Sequence, residues 1–545
     1  MNKKIENCSH KSIFWWGTAL FVLASYLIPS IFRPLWNPDE IRYAAMAFEM
    51  SSQGQWIVPH LNGLRYFEKP ILDLWVNAFF YQMLADSNIA VRLGSIIAIL
   101  GCSVLIYQFC NRYWPNSNTA NIAVLVFSSN LLVYAVGSYG SLDAMLTLWL
   151  AAAMFCLFHA LETPTYKWRW YCLAGVLCGL AFLTKGFLAW AIPFIVFVPL
   201  SIARKQFIEL VKFAPLIITS AILVCIPWGL AVHMQEPDYW RYFFWEEHIN
   251  RFFAKDAEHG KSFWFFFPII PLALLPWWFG FKCWLQTGRQ LSWLKSNGPL
   301  LFLLLWAVLG LLFFSSSRGK LLGYILPLML PISIMFAVSL NQAIAKGWQL
   351  PLLPLAGLLI TGAGVLIGLD LSSEPFYQSF EQSNKWIAVS SLVLGAVIAS
   401  FGLKQKAENR LKYTALAILP FFWVAGAVAP KSAIDHQLPE QFINRLQLNQ
   451  CQGLYSDKYM AASLTWLKHR TDVNIVGYMG EFDYGLAYAD SSHRHLSEVE
   501  LLQSAKKQNM CVLIRANREV DEAIKNSGLF KLIDTDNSIS FYKNF

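Results

Sequence analysis

The sequence has little charge for its length. Only 14% of its 545 residues are charged, whereas 56% are hydrophobic. A soluble enzyme of this size needs more polar surface, so the composition excludes one and indicates a polytopic membrane protein. Internal repeats, low-complexity tracts and nucleic-acid-binding motifs are also missing from the sequence. We therefore expect no nucleic-acid partner.

Several common signatures of chemistry are missing as well. The ten cysteines show no metal-ligand spacing, and most lie in apolar segments, where we expect small buried side chains. Cys451 and Cys511 differ, because they fall in the polar carboxyl-terminal part. They could form a disulfide if that part is extracytoplasmic, or remain buried thiols in strands. That part also lacks a Gly-rich phosphate loop and a nucleophile elbow, so we expect an auxiliary role for it.

Long apolar segments fill most of the first 430 residues. Windows of about 19 residues predict thirteen transmembrane helices in the sequence. They span residues 13–32, 90–110, 119–137, 142–160, 170–183, 186–203, 213–233, 263–281, 298–315, 321–340, 351–370, 386–403 and 412–430. The first is too long for a signal-peptide core and lacks a cleavage site, so we keep it as a helix. The fifth and sixth are separated only by Thr184-Lys185-Gly186, and one broken helix there would change the count.

The distribution of basic residues predicts the orientation of these helices. With a cytoplasmic amino terminus, the cytoplasmic loops carry most of the lysines and arginines that flank the spans. The short loops on the other side carry only Lys185, Arg318, Lys320 and Lys385, which agrees with the positive-inside rule. Two longer loops, 33–89 and 234–262, then lie outside. An odd number of spans places the carboxyl terminus there too.

Residues 431–545 differ in texture from the rest of the chain. Short apolar runs alternate in this part with helical stretches, and this alternation predicts a small α/β domain. The runs lie at 453–455, 473–478, 511–514, 530–533 and 538–542. We therefore expect two domains. Residues 1–430 form a transmembrane catalytic domain with its site in the two outer loops, and residues 431–545 form a soluble domain.

The densest polar cluster lies in the first outer loop, at residues 37–70. Its Pro-Asp-Glu start at 38–40 indicates a helix amino terminus, because proline suits the first turn and carboxylates favour the positive end of the helix dipole. We expect a short helix over 40–50 that lies along the membrane surface and ends at the following Gln-Gly pair. A second segment, 63–70, brings back charges such as Lys69. A solvated connector would show a similar composition.

The second outer loop, 234–262, carries another charged cluster. Glu247, His248 and Arg251 fall on one face of a helix. A histidine beside a carboxylate can bind a divalent metal. A solvated amphipathic helix is the simpler interpretation of this loop on its own.

Two shorter clusters lie on the same side of the membrane. Arg318, Lys320 and Tyr324 stand at a helix amino terminus, where they suit a phosphate group, although snorkelling cations would give the same pattern. Asp143 enters an apolar span, where a carboxylate is costly and usually has a partner or a task. All these clusters reach the outer face. We therefore expect an anionic, amphiphilic ligand that approaches from the membrane, such as a polyprenyl-phosphate sugar.

Three strings of residues resemble those of a known family. PDEIRYAAMAFEM at 38–50, WIVPHLNGLRYFEKP at 56–70 and KLLGYILP at 320–327 are similar to the bacterial lipid A aminoarabinose transferases, which are polytopic GT-C glycosyltransferases. The resemblance covers the whole chain. It implies transfer of 4-amino-4-deoxy-L-arabinose from undecaprenyl phosphate to lipid A phosphates, on the periplasmic side of the bacterial inner membrane. Lower outer-membrane negative charge and resistance to polymyxin would follow.

The resemblance also implies roles for individual residues. Its catalytic positions are carboxylates, Asp39 and Asp143. Its donor-phosphate positions are cations and tyrosines, namely Arg42, Lys69, Tyr66, Tyr324, Arg318 and Lys320. Its positions for a divalent metal, Zn²⁺ or Mg²⁺/Mn²⁺, are Glu68 and His248. Cations and a metal in these places would stabilise the phosphate leaving group of the donor. Inner-membrane lipids are further expected partners of this basic chain.

Two other functions fit parts of the sequence. Another GT-C transferase, similar to protein O-mannosyltransferases, would keep the fold and change the acceptor. Oligosaccharyltransferases of that class carry a WWD string, whereas here Trp277-Trp278 is followed by Phe279 inside a span. A transporter or lipid flippase would show internal repeats and charges near the bilayer midplane. The spans of this chain keep their charges at the ends instead.

Overall fold

The structure is a computed structural model that describes residues 16–544 with several gaps. The gaps are residues 19, 116, 251–259, 289–297, 372–374, 431–433, 435–436, 449–450, 452 and 537, and the side chains of 248 and 285–288. By contact density the chain divides into two compact units. Unit 1 comprises Met1–Phe32, Gly94–Pro227 and His248–Val428, and unit 2 comprises Arg33–Leu93, Trp228–Glu247 and Ala429–Phe545.

Membrane-length apolar helices dominate the chain. Seven helices of the described residues are long and apolar enough to cross a membrane, or up to nine candidate spans if each of two bent pairs forms one. The seven are Ala90–Tyr113, Leu142–Glu162, Phe207–Gln235, Gly298–Ser316, Leu322–Ala345, Ser379–Leu403 and Ala407–Val428. The bent pairs are Thr119–Ser129 with Leu131–Gly137 and Phe263–Ala273 with Trp277–Trp284. The predicted polytopic helical membrane protein is thereby confirmed.

Shorter helices occupy the remaining predicted segments. These are Trp16–Phe32, Leu188–Ala203 and Leu353–Leu369, together with the 19-residue helix Lys167–Lys185. Each of the thirteen segments predicted from the sequence therefore falls on a helix or a bent pair. Two separate helices stand at the uncertain pair, because Gly186 takes φ 84° and ends the first of them. Lys185 is thus the last residue of its helix.

Unit 2 contains the first outer loop, which is more ordered than the sequence predicts. The predicted helix is confirmed as Asp39–Gln53, and Gly54 with φ 70° ends it. Its position along the membrane surface stays a prediction. Two elements were not predicted. They are the hairpin of strands β1 (His60–Leu61) and β2 (Leu64–Arg65), and the helix Leu72–Leu84. The second outer loop follows as the short helix Tyr239–Arg241 and the π-helix Tyr242–Asn250.

The rest of unit 2 confirms the predicted carboxyl-terminal α/β domain. Its strands are β3 (Gly453–Ser456), β4 (Asn474–Val476), β5 (His495–Leu496), β6 (Met510–Arg515), β7 (Phe530–Thr535) and β8 (Ile539–Asn544). They form one six-stranded sheet in the order β5-β4-β3-β6-β8-β7, parallel from β5 to β6 and antiparallel at β8 and β7. The helices between them are Lys458–Lys468, Asp483–Leu486, Glu498–Ser504 and Glu519–Ser527. Alternating apolar runs therefore located five of the six strands, and only β5 was not predicted.

A disulfide answers the question that the sequence left open about two cysteines. Cys451 and Cys511 are bonded, with their Cα atoms 5.6 Å apart. Cys451 precedes β3 and Cys511 lies in β6, and these two strands are direct neighbours in the sheet. Pairing of β3 with β6 therefore brings together two residues that are 60 positions apart in sequence.

Candidate active site

The amino-terminal turn of the outer-loop helix carries the first predicted pair. Asp39 and Arg42 are three residues apart on one helical turn, and an η nitrogen of Arg42 donates to the Asp39 carboxylate. The Asp39 side chain is 37% exposed, whereas that of Arg42 is 15% exposed. Asp39 can therefore meet a substrate, and Arg42 is held beneath it.

A second cluster surrounds Lys69. Its ammonium pairs with Glu247 of the second outer loop and lies 3.7 Å from the carboxylate of Glu68. The Tyr66 hydroxyl donates to Glu68 at 3.3 Å. Burial and the Glu68 carboxylate raise the pKa of Tyr66, so this hydroxyl keeps its proton at neutral pH. The predicted Lys69, Glu68 and Tyr66 are thus brought together, and Glu247 already fills the place of an anion beside Lys69.

A buried ion cluster fixes the start of the outer-loop helix. The Glu40 carboxylate accepts from Arg33 at 2.9 Å and from Arg92 at 2.7 Å. Burial alone would raise the pKa of Glu40, but the two arginines outweigh it and lower that pKa to about 2. Glu40 therefore stays charged, and the turn that bears Asp39 is anchored to two neighbouring segments.

The far end of the same helix is anchored through a turn. Asn62 and Gly63 join β1 to β2 with φ 55° and 68°, as expected for an Asn-Gly hairpin turn. The Glu49 carboxylate accepts from both of their backbone nitrogens. The Asn62 amide also pairs with both backbone groups of Val473, just before β4. The turn therefore ties the outer-loop helix to the carboxyl-terminal domain within unit 2.

Two residues of the carboxyl-terminal domain join the Asp39 cluster, and they were not predicted. Glu481 lies 3.5 Å from an η nitrogen of Arg42, and Lys458 lies 4.0 Å from the other oxygen of Glu481. Burial raises the pKa of Glu481, and Glu68 nearby raises it further, against the lowering effect of Arg42. The sequence signal for this segment is the stretch GYMGEFDYG at 477–485, in which two acids lie among glycines and aromatics beyond a strand.

Unit 1 holds a separate cluster made of predicted residues. Asp143, at the start of its span, pairs with Lys185 at the end of another. The Lys185 ammonium also lies 4.6 Å from the centre of the Tyr324 ring. A Cβ atom at Gly323 would stand 2.5 Å from an Asp143 oxygen, so this approach requires glycine. Three separate helical segments thus bring Asp143, Lys185 and Tyr324 together.

The two other predicted cations of unit 1 lie in the turn before Tyr324. The Lys320 ammonium donates to the backbone carbonyls of Ser317 and, at 3.1 Å, Lys261, and Lys320 is 3% exposed. The Arg318 carbonyl accepts from the backbone nitrogen of Lys261 at 3.1 Å. The observed contacts of Lys320 therefore hold the turn against the end of the second outer loop.

Glu68 and His248 are the residues that the resemblance implies for a divalent metal. Glu68 already faces the Lys69 ammonium and the Tyr66 hydroxyl. Among the described residues, no group of three or more His, Cys, Asp and Glu side chains could hold a metal ion. The side chain of His248 lies outside the described residues. A divalent metal held by Glu68 and His248 therefore stays a prediction.

Comparison with known proteins identifies the family of this chain. The chain is 38% identical to the undecaprenyl phosphate-α-4-amino-4-deoxy-L-arabinose arabinosyl transferase of Aeromonas hydrophila, over 92% of this chain and 94% of the relative. The chain belongs to this family of arabinosyl transferases. A second relative, from Proteus mirabilis and described as arabinosyl transferase 2, is 40% identical over 91% of this chain and 92% of its own length.

Two further comparisons agree with the family. Residues 434–532 match the family described as arabinosyl transferase ArnT, C-terminal domain, and residues 11–243 match dolichyl-phosphate-mannose-protein mannosyltransferase. The crystal structure of ArnT from Cupriavidus metallidurans bound to undecaprenyl phosphate is similar in fold, with a TM-score of 0.81, 19% identity and 98% of each chain covered. The resemblance inferred from the three sequence strings is thereby confirmed.

Proposed function

We propose that this chain transfers 4-amino-4-deoxy-L-arabinose from undecaprenyl phosphate to phosphate groups of lipid A in the bacterial inner membrane. The observation that carries this proposal is 38% identity over 92% of the chain to a relative named for that donor. A membrane-embedded chain suits two lipid substrates. The product bears a cationic sugar on lipid A, which lowers the negative charge that polymyxin and other cationic peptides bind.

The donor's leaving group is a lipid phosphate, and two cations of unit 2 are assigned to it. Arg42 pairs with Asp39, and Lys69 pairs with Glu247. An incoming phosphate therefore takes the place of the Glu247 carboxylate beside Lys69. A charged hydrogen bond to a phosphate strengthens as negative charge develops on the leaving oxygen. Tyr66 supports this site as a hydroxyl donor that orients Glu68.

Asp39 is assigned to the sugar side of the reaction. The acceptor phosphate is already anionic near neutral pH, so transfer does not depend on a strong general base. The exposed Asp39 carboxylate can instead stabilise the positive charge that develops on the sugar as the bond to the donor phosphate breaks. Asp143 and its partner Lys185, with Tyr324, supply a second charged group in unit 1. Arg318 and Lys320, in the turn before Tyr324, are the further cations that the resemblance assigns to the donor phosphate.

We further propose thirteen membrane crossings with a cytoplasmic amino terminus. The outer loops 33–89 and 234–262 and the domain 431–545 then face the periplasm, and residues 1–430 form the transmembrane catalytic domain. Support comes from the helices at all thirteen predicted segments and from the sparse basic residues of the short outer loops. The disulfide Cys451–Cys511 agrees with an oxidising compartment for the carboxyl-terminal domain.

Lipid A mass spectrometry tests the function directly. Cells that lack their own transferase, but make the donor, are compared with and without this chain. We expect lipid A species whose mass is increased by one or two aminosugars. Asp39→Asn should reduce the amount of modified lipid A by at least about a hundredfold, because a charge that acts only in the transition state is lost. Asp238→Asn, an exposed aspartate of the second outer loop, is the matched control. Unmodified lipid A despite verified membrane expression would contradict the proposal.

A second candidate function keeps the fold and changes the acceptor. The match of residues 11–243 to the dolichyl-phosphate-mannose-protein mannosyltransferase family favours this alternative. It predicts unmodified lipid A and turnover of another lipid-linked sugar in the same membranes. Assays of individual lipid-linked donors with this chain and with Asp39→Asn distinguish the two functions.

A further inference from the structure

We propose that Glu481 of the carboxyl-terminal domain is a positioning residue for Arg42, so that this domain completes the donor-phosphate site. The inference rests on the proposed function, because that function assigns Arg42 to the donor phosphate. It gives the carboxyl-terminal domain, which the sequence predicts to be auxiliary, an indirect share in substrate binding through Arg42.

The contacts of Arg42 show what Glu481 does. One η nitrogen donates to Asp39 and the other lies 3.5 Å from Glu481, while Nε is buried without a hydrogen-bond partner among the described residues. Two carboxylates on different sides hold the plane of a guanidinium in one orientation. With Asp39 alone, the same guanidinium would pair with that carboxylate through two nitrogens, since bidentate pairing is the preferred geometry. Glu481 therefore keeps one η nitrogen away from Asp39.

Glu481 is itself held in place by its surroundings. It lies in the short 3-10 helix Gly480–Phe482, and its second oxygen is 4.0 Å from the ammonium of Lys458. The side chains of Glu481 and Lys458 are 14% and 6% exposed. Gly480 has φ 56°, and a Cβ atom there would stand 2.6 Å from Lys458 Nζ, so the backbone and the lysine pack closely. A partly buried carboxylate with two cationic neighbours is expected to keep its orientation.

The segment that follows Glu481 is docked on the outer-loop hairpin. A Cβ atom at Gly485 would stand 2.7 Å from the carbonyl oxygen of Arg65, so the two backbones are in direct contact. Arg65 pairs with Asp490 at 3.0 Å, and the Tyr484 ring lies 5.4 Å from that of Phe67. These contacts flank the Glu481–Arg42 pair within unit 2. The approach of Glu481 to Arg42 is therefore part of a continuous packed surface.

Binding of undecaprenyl phosphate to the purified full-length chain, followed by native mass spectrometry, tests the inference. We expect Glu481→Gln to weaken binding by about tenfold, because the freed guanidinium turns toward Asp39 and offers the phosphate fewer donors. Glu481→Asp keeps the charge, and its affinity for undecaprenyl phosphate should lie between those of Glu481→Gln and the wild type. Glu522→Gln, an exposed glutamate of the same domain, is the control and should bind as the wild type does.

A double-mutant comparison separates positioning from simple support of the fold. In an Arg42→Ala background Lys69 still binds the phosphate, and Glu481→Gln should have no further effect. Equal weakening in both backgrounds, or wild-type binding by Glu481→Gln, would overturn the inference and leave the proposed function standing. A wild-type chain that does not bind undecaprenyl phosphate would overturn both. If Glu481→Gln does not fold, the same comparison with Glu481→Asp decides between these outcomes.

Discussion

At the scale of single residues, three cations of the described clusters are already paired with acids. Lys69 faces Glu247, Arg42 faces Asp39, and in unit 1 Lys185 faces Asp143. The desolvation cost of burying a cation is partly offset when the cation pairs with a carboxylate. A phosphate ligand can therefore replace a carboxylate without leaving any of these cations unpaired in a partly buried site.

Lys69 is the cation whose removal should affect the donor most directly. We expect Lys69→Ala to raise the donor KM by about tenfold or more, because the charged hydrogen bond to the phosphate is lost. Lys69→Arg keeps a cation and should retain part of the affinity. Steady-state kinetics with purified chain and varied donor concentration measure the effect, with the exposed Lys507→Ala as control. An unchanged donor KM would remove Lys69 from the phosphate site.

Glu49 makes a prediction about pH. Burial raises its pKa to about 7, against the lowering effect of the backbone nitrogens of Gly63 and Asn62 and of Arg494. The folded state therefore binds this proton more tightly than the unfolded state, whose pKa is near 4.5. Stability from this group is full below pH 4.5 and is lost as the pH rises through about 7.

The pH prediction is tested by thermal unfolding. Between pH 6 and pH 8, the unfolding midpoint of the wild type should fall by more than that of Glu49→Gln, because glutamine does not titrate. Intrinsic tryptophan fluorescence on the purified chain reports the midpoint at each pH. Parallel curves for the two proteins would show that Glu49 titrates alike in the folded and unfolded states.

At the scale of elements, the hairpin β1–β2 connects the outer-loop helix to the carboxyl-terminal domain within unit 2. It contacts the outer-loop helix through Glu49 and the carboxyl-terminal domain through Asn62 and Val473. The backbone of Thr471 leaves no room for a side chain at Gly63, because a Cβ atom there would stand 2.6 Å from the Thr471 carbonyl oxygen. The outer-loop helix is therefore tied to the carboxyl-terminal domain at this turn as well as through Arg42 and Glu481.

Gly63 and Gly54 offer a matched pair of substitutions. Both have positive φ, 68° and 70°, so alanine costs about 1–2 kcal/mol of backbone strain at either position. Only Gly63 faces a backbone oxygen, whereas a Cβ atom at Gly54 meets nothing within 4 Å. We expect Gly63→Ala to lower the free energy of unfolding by about 1–3 kcal/mol more than Gly54→Ala does. Equal losses in chemical denaturation of the two variants would contradict the close contact.

At the scale of the whole molecule, charge placement and the disulfide agree on topology. Short outer loops are poor in basic residues, and a disulfide such as Cys451–Cys511 is typical of an oxidising compartment. Alkaline phosphatase fused to the carboxyl terminus should therefore be active, because it folds only in the periplasm. The same enzyme fused after Gly347, in a predicted cytoplasmic loop, should be inactive. The reverse result would place unit 2 on the wrong side for lipid A.

Local signals in the sequence predicted most elements of the fold. Apolar runs of membrane length located every candidate span of the described residues, because a helix that crosses the bilayer needs about 20 apolar residues. The Asp39–Gln53 helix followed from a proline, two carboxylates and a glycine at its ends. The hairpin β1–β2 was not predicted, although its Asn-Gly pair is a standard turn signal. Asp39, Arg42, Lys69 and Glu68 were recognised through contiguous strings around them.

What the sequence by itself determined is the membrane class, the family and the acids and cations of the first outer loop, since each depends on composition or on neighbouring residues. Only the tertiary structure decided which of these charges meet. Glu481 contacts Arg42, 439 positions away in the sequence, and Glu247 contacts Lys69, 178 positions away. It also decided that Cys451 pairs with Cys511, because β3 lies beside β6. Such pairings depend on packing between distant segments, and no local pattern of residues records them.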